Sequence, residues 1–215
     1  MAVIADGNRR WASRRGLPIA AGHVAAADAL KARVADAVEI GIQELAVYVF
    51  STENWSRAAD EVSELMAMFS RRIAIEAPEL HEQDVKVRFL GRRDGLSADL
   101  IEQMDRLQSL TESNRGLTLF LAFNYGGRAE IMQAARRFDG GSEEDFRRCL
   151  YGPEMHDPEV IIRTGGEQRL SNYLLWQSAY SELVFRDELW PDFNNRALQD
   201  SLAEFNDRAR RFGGR

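Results

Sequence analysis

Four short polar segments carry residue types suited to chemistry on a phosphorylated molecule. They lie at residues 6–11, 51–57, 124–128 and 163–171, and each follows a short apolar run. In the first segment Asp6 precedes Gly7, and proteins commonly hold Mg²⁺ with one or two carboxylates plus oxygens of a substrate phosphate. In the last segment Arg163, Arg169 and Ser171 flank a Gly-Gly pair and could grip a diphosphate through paired hydrogen bonds. These residues predict an Mg²⁺-dependent enzyme acting on a phosphorylated, partly apolar substrate.

Each segment taken alone also has a purely structural interpretation. Asp6 could cap a turn, Ser51 and Thr52 could cap a short helix, and residues 124–128 could form a Gly-Gly turn. The arginine-rich segment could be a solvated loop. The glycine spacing matches neither a Walker loop nor a dinucleotide-binding fingerprint.

Other kinds of active site have little support in the sequence. His23, His81 and His156 are scattered singly, which disfavours a zinc site. Cys149 lies in a charged segment with no histidine nearby, and no Ser/His/Asp order is compelling. Nucleophilic hydrolysis is therefore disfavoured.

The elements that must position these segments alternate between strands and helices. Strands are predicted at residues 2–5, 45–50, 85–90, 117–123 and 160–162, and helices at 23–40, 60–76, 97–112, 128–138, 142–150 and 196–211. This alternation predicts a single α/β domain over residues 1–215, with a mostly parallel central β-sheet covered by helices on both faces. Ligands of such sheets bind beyond the carboxyl ends of the strands, so the four polar segments are expected to share one rim.

Composition narrows the class of protein further. The chain has 215 residues, 45% of them hydrophobic and 29% charged, which is typical of a globular protein. Its formal net charge of −6 argues against broad nucleic-acid binding. With one cysteine, no transmembrane-length apolar run and no signal-peptide pattern, we expect a cytoplasmic protein.

Six motifs in this order resemble the cis-prenyltransferase family, whose bacterial type is undecaprenyl diphosphate synthase. They are Asp-Gly-Asn-Arg-Arg-Trp-Ala at 6–12, Gly-His at 22–23, Phe-Ser-Thr-Glu-Asn-Trp at 50–55, Asn-Tyr-Gly-Gly-Arg at 124–128, Ile-Arg-Thr-Gly-Gly-Glu at 162–167 and Leu-Trp-Pro-Asp at 189–192. The resemblance extends from Ala2 to Gly214. It implies Mg²⁺-dependent condensation of isopentenyl diphosphate with an allylic diphosphate, such as farnesyl or geranyl diphosphate, to form a cis double bond.

The resemblance also assigns roles to individual residues. Asp6 would bind Mg²⁺ with Glu182 as a second ligand, and Asn54 would steer proton removal. The allylic substrate would contact Gly7, Asn8, Arg9, Arg10, Trp11, His23, Ser51, Thr52, Glu53, Trp55 and Arg57. Isopentenyl diphosphate would contact Arg163, Arg169, Leu170, Ser171 and Arg211, the last from a terminal segment that reaches a neighbouring active site and so implies a homodimer.

The growing product would lie in an apolar tunnel. Its candidate wall is the helix carrying Leu65 and Phe69, facing strands with Val49 and Leu117. A product of C50–C55, the undecaprenyl type, is the first expectation, and a short or medium product is the alternative because Val49 is bulky. Release of a long product would involve peripheral contact with a membrane.

Three positions depart from the family's common pattern. Arg9 stands where many undecaprenyl synthases have Gly, Ile19 where an Arg is frequent, and Ala26 where a Gly is usual. Ile19 removes one expected diphosphate contact. Two further alternatives are a non-catalytic partner subunit and irregular head-to-middle coupling. Both are disfavoured because Asp6, Arg163 and Arg169 are present.

Overall fold

A computed structural model describes residues 1–208. Its centre is one six-stranded sheet in which every pairing is parallel, with the order β3-β4-β2-β1-β5-β6. The strands are β1 (Ala2–Ile4), β2 (Glu44–Ser51), β3 (Lys86–Leu90), β4 (Thr118–Tyr125), β5 (Val160–Arg163) and β6 (Glu182–Phe185). This confirms the predicted α/β class and the parallel sheet.

Seven α-helices accompany the sheet in the described residues. They are α1 (Asn8–Arg14), α2 (Ile19–Ile40), α3 (Ala59–Glu82), α4 (Ala98–Leu110), α5 (Gly127–Arg137), α6 (Glu143–Arg147) and α7 (Asn195–Asn206). Two 3₁₀ turns, Thr52–Ser56 and Trp190–Asp192, follow β2 and precede α7. Within the described residues, no helix is both long and apolar enough to cross a bilayer.

Strand side chains alternate between two buried clusters, one on each face of the sheet. Val3 of β1 and Val47 of β2 join the cluster that packs on α2 and α7. Ile4 and Tyr48, the next residue along each strand, join the cluster on the opposite face. Because both faces are covered, these strands read in the sequence as nearly continuous apolar runs.

The strand order determines which polar segments meet. β1 lies between β2 and β5, and the three strands run in the same direction. The segments that follow them therefore converge at one edge, where the chain switches from one half of the sheet to the other. β4 lies beside β2, so the segment after it borders the same edge.

Some boundaries differ from those predicted. Residues 8–14 form a helix, although the sequence around Gly7 and Asn8 is typical of a turn. β6 was not predicted, because four residues at a sheet edge give little periodic signal. The helix predicted at 60–76 continues to Glu82 through Pro78. The described part of the last helix ends at Asn206, and the rest of the predicted span reaches beyond the described residues.

Candidate active site

Asp6 lies just beyond the end of β1 and is held there by its own backbone. Its amide donates to the Thr164 hydroxyl at 2.9 Å, and that hydroxyl donates to the Asp6 carbonyl at 2.9 Å. The Asp6 carboxylate is 2.9 Å from Arg163 and 3.3 Å from Arg10. The following residue, Gly7, has φ 107°, and a Cβ there would lie 2.7 Å from a Leu189 methyl. The sharp turn that exposes the carboxylate therefore needs glycine.

Arg163 is the most deeply buried cation of the site, at 4% exposure. One guanidinium nitrogen donates to Asp6, and another donates to the Ser171 hydroxyl at 2.7 Å and to the backbone carbonyl of Arg169. The Arg169 side chain itself is exposed and pairs with Glu167. One buried and one exposed arginine therefore lie close together, and both could donate paired hydrogen bonds to a diphosphate.

His23 and two arginines surround Glu61, a residue that the sequence did not single out. Glu61, in the first turn of α3, lies 3.4 Å from His23, 3.1 Å from Arg57 and 3.9 Å from Arg9. Burial lowers the pKa of His23, and the nearby charge of Arg57 lowers it further, while Glu61 partly opposes both. His23 is therefore neutral at pH 7 and able to donate a hydrogen bond without adding charge.

The segment after β2 is organised by Asn54 and Glu53. The Asn54 side chain accepts from the Ser51 amide at 3.0 Å, and the Ser51 side chain accepts from the Asn54 backbone in return. Glu53 accepts from Asn172 at 2.7 Å. Partial burial alone would raise the pKa of Glu53, but hydrogen bonds from Asn172 and neighbouring groups outweigh it and lower the pKa.

These residues surround a polar cavity of about 760 Å³ at the carboxyl edge of the sheet. The predicted residues that line it are Asp6, Gly7, Asn8, Arg9, Arg10, His23, Ser51, Glu53, Asn54, Arg57, Arg163, Arg169 and Ser171. Asn172 and Tyr48 also line it and were not predicted as site residues. The only sequence signal for Asn172 was its position directly after Ser171.

Four predicted contact residues stabilise the loops instead of lining this cavity. The Trp11 indole donates to Asp192, in the 3₁₀ turn before α7, at 2.7 Å. The Trp55 indole donates to Asn124 at 2.8 Å. Thr52 donates to Glu53, and Leu170 packs against the apolar cluster around Tyr48. None of the four lines the polar cavity, because each contacts a neighbouring loop or the core. Their predicted contacts, with the allylic substrate for Trp11, Thr52 and Trp55 and with isopentenyl diphosphate for Leu170, stay predictions.

The end of β4 and the start of α5 also form hydrogen bonds that hold neighbouring loops in place. Asn124 is fully buried with φ 52°, and its amide donates to the carbonyls of Arg92 and Asp94 at 3.0 and 2.9 Å. The amides of Gly127 and Arg128 donate to Asn172. This segment therefore supports the loops on either side of it.

Glu182 lies toward the edge of the sheet opposite to that of Asp6 in the same chain. It is the first residue of β6 and lies beside Val160, the first residue of β5, whereas Arg163 at the other end of β5 reaches Asp6. Val160 and Arg163 are three residues apart, so at about 3.3 Å per residue Glu182 lies roughly 10 Å from Arg163 along the strand direction. Its carboxylate pairs with Arg208 at 3.0 Å. Parallel strands begin at the edge opposite the site, so one chain does not bring Glu182 to Asp6, and the predicted sharing of Mg²⁺ by these two residues stays a prediction. The prediction for Arg211 falls outside the described residues.

A second, apolar cavity adjoins the polar one. Val49 and Leu65, two residues of the predicted tunnel wall, line both cavities, and Phe69 lines the apolar one. Leu117 instead lies in the core just before β4, and Leu121 on the strand itself takes the place predicted for it. The apolar cavity measures about 110 Å³. Since an engineered cavity of about 150 Å³ holds one benzene, the walls must move apart before a prenyl chain enters.

The donor set fits a magnesium ion that arrives with a diphosphate. The described residues contain no group of three or more His, Cys, Asp or Glu side chains that could hold a metal. Asp6 is 31% exposed toward the polar cavity, which also holds several arginines suited to phosphate oxygens. One carboxylate completed by phosphate oxygens and water is a normal environment for Mg²⁺.

Comparisons with known proteins identify a family to which this chain is similar. Residues 4–213 match the family model described as "Putative undecaprenyl diphosphate synthase". The chain is 46% identical to isoprenyl transferase 2 of Bradyrhizobium diazoefficiens, over 100% of this chain and 89% of the relative. It is 45% identical to isoprenyl transferase of Thermotoga maritima, over 100% and 96%.

Solved structures show the same similarity in three dimensions. The crystal structure of lavandulyl diphosphate synthase from Lavandula x intermedia, in complex with dimethylallyl diphosphate, superposes with a TM-score of 0.94 at 33% identity and covers 99% of this chain and 96% of that one. A probable undecaprenyl diphosphate synthase from Campylobacter jejuni gives a TM-score of 0.84 at 29% identity, with the same coverage.

Proposed function

Because the chain belongs to the undecaprenyl diphosphate synthase family and is an isoprenyl transferase, we propose that it condenses isopentenyl diphosphate with an allylic diphosphate. The product is a Z-polyprenyl diphosphate, and the reaction depends on Mg²⁺. The observation that carries this proposal is the junction of an arginine-rich polar cavity with an apolar one, through shared residues such as Val49 and Leu65. An allylic diphosphate has the same division into a charged head and an apolar tail.

In this proposal the two diphosphates bind at two groups of cations. Arg163, Arg169 and Ser171 bind isopentenyl diphosphate, because the buried Arg163 already orients the Ser171 hydroxyl. Gly7, Asn8, Arg9, Arg10, His23 and Arg57 surround the allylic diphosphate. Asp6 would hold Mg²⁺, and the bound ion would supply positive charge that favours departure of a diphosphate.

The proposed step breaks the allylic C–O bond and forms a C–C bond. The π electrons of isopentenyl diphosphate attack the allylic carbon, and the bond electrons leave with the allylic diphosphate. Arg9, Arg10 and neutral His23 donate hydrogen bonds to the charge that develops on it. The new double bond forms when isopentenyl diphosphate loses a proton to a diphosphate oxygen. Asn54, fixed by Ser51, orients that loss without acting as a strong base.

Two product classes remain candidates. A C50–C55 product is expected from the resemblance to undecaprenyl synthases. A short- or medium-chain product is the alternative, because the bulky Val49 lines the apolar cavity where it joins the polar one. The superposition on a synthase solved with dimethylallyl diphosphate supports the same alternative, because it makes dimethylallyl diphosphate a reasonable primer for this chain. We further propose a cytoplasmic homodimer, with peripheral membrane contact if the product is long.

A product assay tests this function. Purified protein receives Mg²⁺ and labelled isopentenyl diphosphate with dimethylallyl, geranyl or farnesyl diphosphate in separate reactions, and products are sized by reverse-phase chromatography. We expect EDTA-sensitive polyprenyl products, and their loss in Asp6→Ala. A lack of product with every primer would contradict the proposal and favour a non-catalytic partner subunit.

A further inference from the structure

Asn172 connects three loops that surround the polar cavity. Its backbone carbonyl accepts from the Gly127 amide at 2.7 Å, and its side-chain oxygen accepts from the Arg128 amide at 2.8 Å. Its side-chain nitrogen donates to Glu53 at 2.7 Å. The loop after β5 is thereby tied to the loops after β4 and β2. The fit is close, since a Cβ on Gly126 would lie 2.8 Å from the Asn172 amide nitrogen.

The backbone around Asn172 is held in an unfavourable conformation. Ser171, Asn172 and Leu174 have φ values of 49°, 65° and 42°. Asparagine tolerates this left-handed region, whereas serine and leucine adopt it at a cost in free energy, so surrounding contacts must stabilise it. Ser171 carries the hydroxyl that accepts from Arg163 at 2.7 Å. The position of that hydroxyl therefore depends on the contacts that hold its neighbour.

Glu53 is better suited to anchoring Asn172 than to contacting a diphosphate. One carboxylate oxygen accepts from Asn172 at 2.7 Å, and the other accepts from Thr52 at 3.2 Å. An ionised carboxylate facing a diphosphate would repel it, and donors from the protein reduce that effect only while they remain in place.

We propose that Asn172 is a positioning residue, anchored by Glu53, that holds Ser171 and Arg163 in the geometry that binds the diphosphate of isopentenyl diphosphate. The identity of the substrate rests on the proposed function. The positioning role concerns the geometry of the diphosphate site and has a test that does not need turnover.

The test exchanges the donor and the acceptor of the Asn172–Glu53 hydrogen bond. In Asn172→Asp two carboxylates face each other, so we expect KM for isopentenyl diphosphate and the Kd for inorganic diphosphate, by calorimetry, to rise roughly tenfold. The kcat is expected to change much less. Adding Glu53→Gln to Asn172→Asp gives the pair one amide donor and one carboxylate acceptor again, and the double variant should recover most of the loss. Asn172→Gly is the substitute variant if Asn172→Asp folds poorly, because glycine suits φ 65°. It should raise the KM and the diphosphate Kd as Asn172→Asp does.

A matched control repeats the change elsewhere. The Asn195 amide donates to Asp36 at 2.7 Å, between α7 and α2. Asp36 lies 13 residues after His23 on the same helix, roughly 20 Å away along its axis. Asn195→Asp should lower thermal stability and leave KM and the diphosphate Kd unchanged.

The outcomes separate this inference from the proposed function. Unchanged diphosphate affinity in Asn172→Asp and Asn172→Gly overturns the positioning role, as does a double variant no better than Asn172→Asp. If Glu53→Gln alone weakens binding as much as Asn172→Asp, Glu53 contacts the ligand directly and the anchoring role is wrong. A wild-type protein that binds diphosphate in the expected pattern but forms no product overturns only the proposed function.

Discussion

Replacing Arg163 by lysine is expected to lower kcat/KM for isopentenyl diphosphate about a hundredfold, while the protein stays folded. Lysine keeps the positive charge but lacks the planar guanidinium group, whose N–H donors point in fixed directions. Three acceptors share the guanidinium: the Asp6 carboxylate, the Ser171 hydroxyl and the Arg169 carbonyl. A single ammonium on a flexible stem cannot reproduce the directions of all three hydrogen bonds.

The magnitude follows from the number of lost hydrogen bonds. We expect lysine to keep the contact with Asp6 and lose the other two. These two bonds hold the Ser171 loop in its binding geometry, so in the variant the loop is ordered only on binding and at the expense of binding free energy. At about 1.5 kcal/mol for each hydrogen bond to a charged group, the loss is about 3 kcal/mol. Since each 1.36 kcal/mol is a factor of ten, this corresponds to about 10²-fold in kcat/KM.

Initial rates at varied isopentenyl diphosphate and saturating allylic diphosphate give the required constants. Arg147→Lys is the matched control, because Arg147 also bonds several acceptors, including the Met155 carbonyl and Asp157, but does not line the polar cavity. The control should lose stability without a change in KM. A value of kcat/KM for Arg163→Lys within threefold of wild type would contradict the predicted loss, because the guanidinium hydrogen bonds would then contribute little to binding.

Three further changes have expected outcomes. Val49→Ala enlarges the apolar cavity and should lengthen the products in the chromatographic assay; an unchanged distribution would contradict the assignment of this wall. Burial raises the pKa of Glu130, so its contribution to stability is lost as pH rises through that pKa. Urea unfolding should therefore show Glu130→Gln gaining stability relative to wild type as pH rises above 4.5, and a difference that does not change with pH would count against it. Burial lowers the pKa of His23 below its ordinary 6.5, so the wild type should lose stability as pH falls below that value, and His23→Gln should lose less. Equal losses in the two proteins would show that His23 titrates normally.

The fold class, and the edge of the sheet that carries the polar cavity, could be predicted from the sequence alone. β1, β2 and β4 were predictable because strands buried on both faces show continuous apolar runs. Asp6 and Arg163 were predictable because each directly follows or ends such a run, and parallel strands bring those ends together. These features depend on short stretches of chain, which a single sequence displays directly.

Which polar residues face the cavity depends on long-range contacts that appear only in the folded chain. Trp11 and Glu182 carry suitable chemistry, but their contacts with Asp192 and Arg208 direct them elsewhere. Asn172 forms hydrogen bonds with residues 44 and 119 positions away in the chain, which its sequence neighbours do not indicate. Hydrogen-bond partners so distant in sequence are chosen by strand order and packing, which residue types and local spacing do not specify.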